Sequence, residues 1–345
     1  MDNLPTQEKR SESGWYMPLD LGKLIAGSFN IYREYFGPLL LMVLVLQLPP
    51  ILLLLRYSYV LHPVMAPDWY SRGAPLPPGV TWEGIIGVLV GMALYSLLTF
   101  PYLLIVPARI AGMRLMNREI TLGEAIRFAS KRWLVTQATY ALWGGLIVLL
   151  FLLPLMVMML ALVEGLEFAA IGASVFVLIL AFFATLYLII RIAPMNGAVA
   201  FDNPQGSFFQ RAVSNLTHTF RLTRRSFWYV TGVWFTIVIL AEVARYVLVQ
   251  PIALGLWLLA LWQDVGSVNP FTFAYWQPPL WYTSASLVLR MLGYVVTLPF
   301  EQIMAALLFF DLRFKLEGLD LKLNLAMLEQ DKAAPEEIMA ADTAY

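Results

Sequence analysis

The chain has 345 residues, 60% hydrophobic and 13% charged, where an ordinary soluble domain carries roughly 25% charged residues, so water is not its main solvent. Basic and acidic residues balance at 23 each, which gives no electrostatic argument for a nucleic-acid partner. Cysteine is absent, which excludes disulfides, thiolate metal sites and cysteine nucleophiles.

Residues 1–18 read as a polar cytoplasmic segment, because Met1 to Tyr16 lack the short apolar core and small-residue cleavage site of a signal peptide. A single membrane domain is expected over residues 19–323. A membrane-spanning helix needs about 20 mostly apolar residues, since each adds about 1.5 Å and the hydrocarbon layer is about 30 Å thick. Six stretches qualify, near 37–55, 84–108, 133–163, 168–190, 227–249 and 282–310, so the predicted fold is an all-α polytopic helix bundle. The third stretch is long enough to require a tilt, a kink near Pro154 or a start in the interface. After Pro251, Ile252 to Trp262 either extends the fifth span or forms a separate short surface helix. Residues 324–345, with Ala333, Ala334, Pro335 and several acids, read as a mobile cytoplasmic tail.

Lysine and arginine stay with cytoplasmic loops. Nineteen of the 23 fall in the N-terminal segment, the second and fourth connections and the tail, whereas the opposite connections hold only Arg72. Both termini are therefore predicted to be cytoplasmic. The outer loop Leu61 to Gly79, with five prolines, is expected to be extended.

Before each odd-numbered span the apolar residues follow one helical template. They are Leu21, Leu24, Ile25, Phe29 and Tyr32; Leu122, Ala125, Ile126, Ala129 and Trp133; and Phe209, Ala212, Val213, Leu216 and Phe220. Asp20 is placed as an N-cap, and Thr121 with Glu124 and Ser207 with Gln210 as capping boxes. The reading is three pseudo-repeats, each an interfacial amphipathic helix followed by a helical hairpin. Arg127, Lys131, Arg132, Arg221, Arg224 and Arg225 flank these stripes and are candidate contacts for anionic lipid headgroups. The plainer alternative is that the three segments prolong the spans or cover the inner end of the bundle.

Charged residues within spans are costly and mark candidate sites. Counting helical rise places Arg56, Glu242, Arg245 and Arg290 near the outer interface, with Glu242 and Arg245 able to pair on one face. Glu301 lies ten residues before Asp311, about 15 Å deep, with no cation expected at its level. Gln302, Gln47, Ser96, Thr99 and Thr236 are its expected neighbours in a mid-membrane polar site. A protonated carboxyl bonding helices together and a proton or substrate site both remain open. Gly87 with Gly91, and Gly144 with Gly145, suggest close helix packing.

No GxxxxGK[ST] loop, HExxH or GxSxG elbow occurs, and no metal site or cofactor is predicted. His218, one of two histidines, reads as a helix-surface residue. Asn215, Leu216 and Thr217 spell a glycosylation acceptor on the cytoplasmic side, read as coincidental.

Three stretches, PLDLGKLIAGSFNIYREYFGPLLLMVL, RIAPMNGAVAFDNPQGSFFQRAVSNLTHTFRLTRRSFWYVTG and FFDLRFKLEGLDL, carry a resemblance covering roughly Pro18 to Leu323. They resemble a broad group of uncharacterised prokaryotic membrane proteins labelled after the membrane domain of glycerophosphoryl diester phosphodiesterases. The resemblance implies a prokaryotic plasma membrane and no settled activity. Six spans leave no room for a phosphodiesterase barrel of about 250 residues. Asp311 with Lys315 and Arg313 with Glu317 are spaced to pair along the last helix as far as Gly318. Asp311, Arg313, Glu317 and Asp320 are a candidate docking surface for a cytoplasmic protein partner. The expected role is a non-enzymatic membrane assembly, scaffolding or lipid-organising protein. The alternative is a small-solute or proton-coupled transporter working around Glu301.

Overall fold

The computed structural model describes residues 19–61, 81–116, 118–163, 168–202, 204–264 and 279–319. The described residues form helices and no strands: α1 (Leu21–Glu34), α2 (Phe36–Leu61), α3 (Trp82–Leu115), α4 (Leu122–Lys131), α5 (Trp133–Val163), α6 (Phe168–Ile192), α7 (Met195–Phe201), α8 (Phe208–Arg225), α9 (Phe227–Asp264) and α10 (Leu280–Glu317). Among the described residues, six helices are long and apolar enough to cross a bilayer. The chain is a multi-pass helical membrane protein. The outer loop and the tail lie outside the described residues.

The three amphipathic segments are α1, α4 and α8. Each begins where the sequence places its cap: Asp20 accepts from the Lys23 amide, and both capping boxes, Thr121 with Glu124 and Ser207 with Gln210, are closed. Each is joined to the next span by one residue, Tyr35, Arg132 or Ser226, with φ from −128 to −102° and ψ from 7 to 30°. That backbone region lies between helix and strand, so the chain bends without leaving a loop. The same residue ends one helix and opens the next: its carbonyl takes the amide of Leu39, Thr136 or Val230 in the span that follows. The three form a collar around one end of the bundle, α1 packing on α10, α4 on α3, and α8 on α5 and α6.

Helix α10 is the most enclosed of the spans, burying most of its apolar window where each of the other five buries less than a third. It packs on α1, α2, α3, α7 and α9, and Ile303, Met304, Leu307, Leu308 and Phe309 are sealed from solvent. It stops at Gly318, whose φ of 62° is left-handed and open to glycine without a Cβ clash. Helix α9 runs unbroken through Pro251 to Asp264, so Ile252 to Trp262 extends the fifth span. Helix α5 is likewise one element from Trp133 to Val163.

The short helix α7 was not foreseen. Pro194 supplies no amide to continue α6, and the chain restarts with Met195 to Ala200 entirely buried beside α3 and α10. Small residues make this approach possible. A Cβ on Gly197 would lie 2.4 Å from the Phe309 Cβ, and one on Gly112 would lie 2.1 Å from Phe201. Gly87, Gly91, Gly144 and Gly145, by contrast, have nothing within 4 Å of a built Cβ. These four bring no helices together within the chain, where the close approaches are made instead at glycines such as Gly112 and Gly197.

Candidate functional site

The end of α7 organises the collar side of the molecule. The last carbonyls of a helix have no partner in their own helix and carry the negative end of its dipole, so cations gather there. Arg132 donates to the carbonyls of Val199 and Asp202, the first at 2.8 Å, and Arg109 reaches the Ala200 carbonyl at 3.4 Å. The Phe128 ring lies under both guanidinium groups, 4.1 Å from Arg109 and 4.9 Å from Arg132. Burial, helped by nearby Arg109, lowers the Arg132 guanidinium to about 10, so it remains charged at neutral pH. Arg132 is thus a structural cap rather than the lipid-headgroup contact expected from its position in the sequence.

Directly after α7, the Asp202 carboxylate joins a closed ring of four charged side chains. Arg313 donates to Asp202 Oδ1 at 3.1 Å and to Glu317 Oε2 at 2.9 Å. His218 closes the circuit, with Nδ1 against Asp202 Oδ2 and Nε2 2.7 Å from Glu317 Oε1. Two nitrogens facing two carboxylates are both satisfied only by the imidazolium form. The bond to Asp202 raises His218 above the ordinary imidazole range, burial opposes this, and the bond to Glu317 adds to the rise. His218 is therefore a half-buried bridge between α8 and α10, not a surface residue. Its neighbour Asn215 is buried as well, out of reach of any modification of the sequon.

The ring forms one wall of a cavity of about 1320 Å³ beneath α8. Gln210, Ser214, Thr217 and Arg221 line it at helical spacing, while Phe209 and Val213 give it an apolar lip. Arg221 reaches Glu317 only at 3.4 Å and leaves 73% of its side chain exposed. It is the most exposed of the cations lining the cavity and the one that an incoming anion meets first. Arg224 and Arg225 are exposed on α8 but do not line the cavity, and Arg127 and Lys131 are exposed on α4.

The proposed docking residues take different positions. Asp311 is completely buried: it accepts from the Leu19 amide at 2.7 Å and from Lys315 at 2.7 Å, while Lys315 also donates to the Leu19 carbonyl at 2.9 Å. This pair clamps the chain entering α1, and Asp311 itself offers no surface. Both expected pairings along the helix, Asp311 with Lys315 and Arg313 with Glu317, are formed. Arg313 and Glu317 are engaged in the ring, and Asp320 lies outside the described residues.

Glu301 has a cationic partner after all. Arg245 donates to Glu301 at 2.6 Å, to Glu242 at 2.7 Å and to the Thr297 hydroxyl at 3.0 Å. The expectation of an isolated carboxyl counted depth from Asp311. Asp311 is not the end of α10, which runs on to Glu317 as its pairing residues and Gly318 imply, and Lys315 over the Tyr229 ring fixes the register with α9. That register brings Glu301 opposite Arg245. The expected polar neighbours are not gathered around it: the Thr99 and Thr236 hydroxyls donate to carbonyls of their own helices, Ser96 is exposed, and Gln47 is half-buried on α2. Gln302 turns the other way and accepts from Asn196, which in turn accepts from the Tyr140 hydroxyl. This buried polar chain joins α5, α7 and α10, and only the adjacency of Gln302 to Glu301 hinted at it.

No protein-family model, curated protein or solved structure matches this chain.

Proposed function

We propose that the protein is a non-enzymatic component of a prokaryotic plasma membrane that organises lipid at the cytoplasmic face, with both termini on that side. The reading rests on charge bias for orientation and on the collar for location. Helices α1, α4 and α8 are amphipathic and closely joined to spans, and exposed Phe29, Phe208 and Phe209 with Arg224 and Arg225 suit a boundary of acyl chains and anionic headgroups. The single observation that carries it is the cavity beneath α8, where the largely exposed guanidinium of Arg221, held only at 3.4 Å by Glu317, lies beside a polar stripe with an apolar lip. An anionic phospholipid fits that combination, its phosphate at Arg221 and its acyl end over Phe209 and Val213. The resemblance to prokaryotic membrane proteins of unsettled activity agrees with this assignment.

Native mass spectrometry of protein exchanged into nanodiscs of defined composition tests it. The expected result is preferential retention of phosphatidylglycerol over phosphatidylcholine, reduced in Arg221→Gln. Equal retention of both lipids, or no effect of the substitution, contradicts the reading. Transport is the second reading, and the buried chain Tyr140–Asn196–Gln302 favours it as an internal polar path. It requires solute or proton flux in proteoliposomes that Gln302→Leu or Glu301→Gln abolishes.

A further inference from the structure

At the other end of the molecule, α9 and α10 leave a groove between them. Two adjoining cavities, of about 530 and 320 Å³, share Val249, Gln250 and Arg290 as walls. On α10 the lining residues Tyr282, Ser286, Arg290 and Tyr294 fall four apart, a single stripe on one helical face. On α9 the lining runs from Glu242 to Trp257, about 22 Å at helical rise, which is longer than one hydrocarbon leaflet of about 15 Å and leaves room for a headgroup. The helices touch closely beneath it, since a Cβ on Gly293 would lie 2.8 Å from Val249.

The two arginines of this groove differ in kind. Arg245 is met by two carboxylates, a hydroxyl and the face of the Tyr294 ring 4.2 Å away. Arg290 is exposed on the wall, and among the described residues no carboxylate pairs with it. A guanidinium on a lipid-facing wall needs an anion or water, and its planar fork matches phosphate oxygens. The anion native to that environment is the phosphodiester of a phospholipid. Leu254, Trp257 and Tyr246 supply apolar and aromatic surface along the same groove, suited to the rest of the molecule.

We infer that the α9–α10 groove is a second phospholipid site, separate from the cavity beneath α8, in which Arg290 holds the lipid phosphate. It shares with the proposed function only the premise that this chain retains lipid, and the two sites answer to different substitutions. The test is native mass spectrometry of the full chain in nanodiscs containing phosphatidylethanolamine or, in its place, the phosphate-free lipid monogalactosyldiacylglycerol. Arg290→Gln is expected to lower phosphatidylethanolamine occupancy about tenfold, as loss of a charge-assisted hydrogen bond of about 1.5 kcal/mol would. Ala253→Phe, which fills the groove and keeps the charge, is expected to do the same, while Arg221→Gln leaves this occupancy unchanged. Equal retention of the phosphate-free lipid, or unchanged occupancy in Arg290→Gln with a wild-type size-exclusion profile, overturns the assignment. If Arg290→Gln fails to fold, Ala253→Phe decides alone: unchanged occupancy there refutes the site. A loss in Arg221→Gln equal to that in Arg290→Gln also refutes it, because one shared site would then explain both.

Discussion

Arg313 and Arg245 each bridge two carboxylates, yet they hold the protein together in different ways. Arg313 joins Asp202 and Glu317 in a ring that His218 closes, so the segment after α7 and helices α8 and α10 are locked to one another. Arg245 joins Glu242 and Glu301 on two helices, α9 and α10, that already pack along their length. The first network closes long loops of chain and contains an imidazole that its bond to Asp202 raises above the ordinary range. The second staples a hairpin, and one of its carboxylates is 60% exposed. The collar end is therefore where substitution and pH should matter most, while each end keeps an exposed arginine, Arg221 or Arg290, for something outside the chain.

The largest effect should come from the backbone contact beneath the ring. Gly197→Val places a side chain where Phe309 already lies, and overpacking of about 1–3 kcal/mol or more is expected to abolish monodisperse protein on size exclusion. Asp202→Ala comes next. It leaves Arg313 and His218 short of a carboxylate and should destabilise by about 1–3 kcal/mol, read as a lower melting temperature in detergent. At the far end, Glu301→Gln is expected to cost about 1 kcal/mol, whereas Glu242→Gln, at the exposed partner, should stay within about 0.5 kcal/mol. Equal losses at Asp202 and Glu242 would erase the distinction between the two ends.

The ring also predicts a sign for pH dependence. His218 is raised in the folded protein, chiefly by its bond to Asp202, so the stability it contributes is fully present below the imidazole value of the unfolded chain and is lost as pH rises through the higher folded value. Asp202, Glu317, Arg313 and Arg221 are the charged groups around it. The melting difference between wild type and His218→Gln should therefore shrink as pH rises from about 6 to about 9. A difference that widens over that interval would contradict the ring. The smallest effect is local: Ser207→Ala removes one half of a capping box and should cost about 0.5–1 kcal/mol, seen as faster amide exchange in the first turn of α8.

How legible this was depended on whether a signal repeats. The spans and the collar helices were readable because a long apolar run and an apolar stripe are each written many times over, and caps such as Thr121 with Glu124 mark where they start. Helix α7 was not readable: apart from Asn196 its seven residues are small or apolar, and they follow a span without a change of pattern except Pro194. The ring was hidden for another reason. His218 lies 16 residues from Asp202 and 99 from Glu317, and Arg313 is 111 from Asp202, so no local spacing announces it. Arg245 and Glu301 were each flagged as ionisable groups within spans, but their pairing depended on register between two helices. Depth counted from Asp311, although the helix was expected to run on to Gly318, put Glu301 at another level. Asp311 and Arg132 show the converse, since residues charged and near loops in sequence became buried caps and clamps.

Helices α1, α4 and α8 are proposed to form one collar in the lipid interface on the cytoplasmic side. The absence of native cysteine makes single spin labels clean, so labels at Phe29, Arg127 and Phe209 can be compared with one at Leu149 in a span by power-saturation depth measurement in liposomes. The three collar labels are expected to share one shallow headgroup-level depth, on the side reached by reagents applied to the cytoplasmic face, while Leu149 sits in hydrocarbon. Collar labels that report bulk water, lie as deep as Leu149, or divide between the two faces would contradict it.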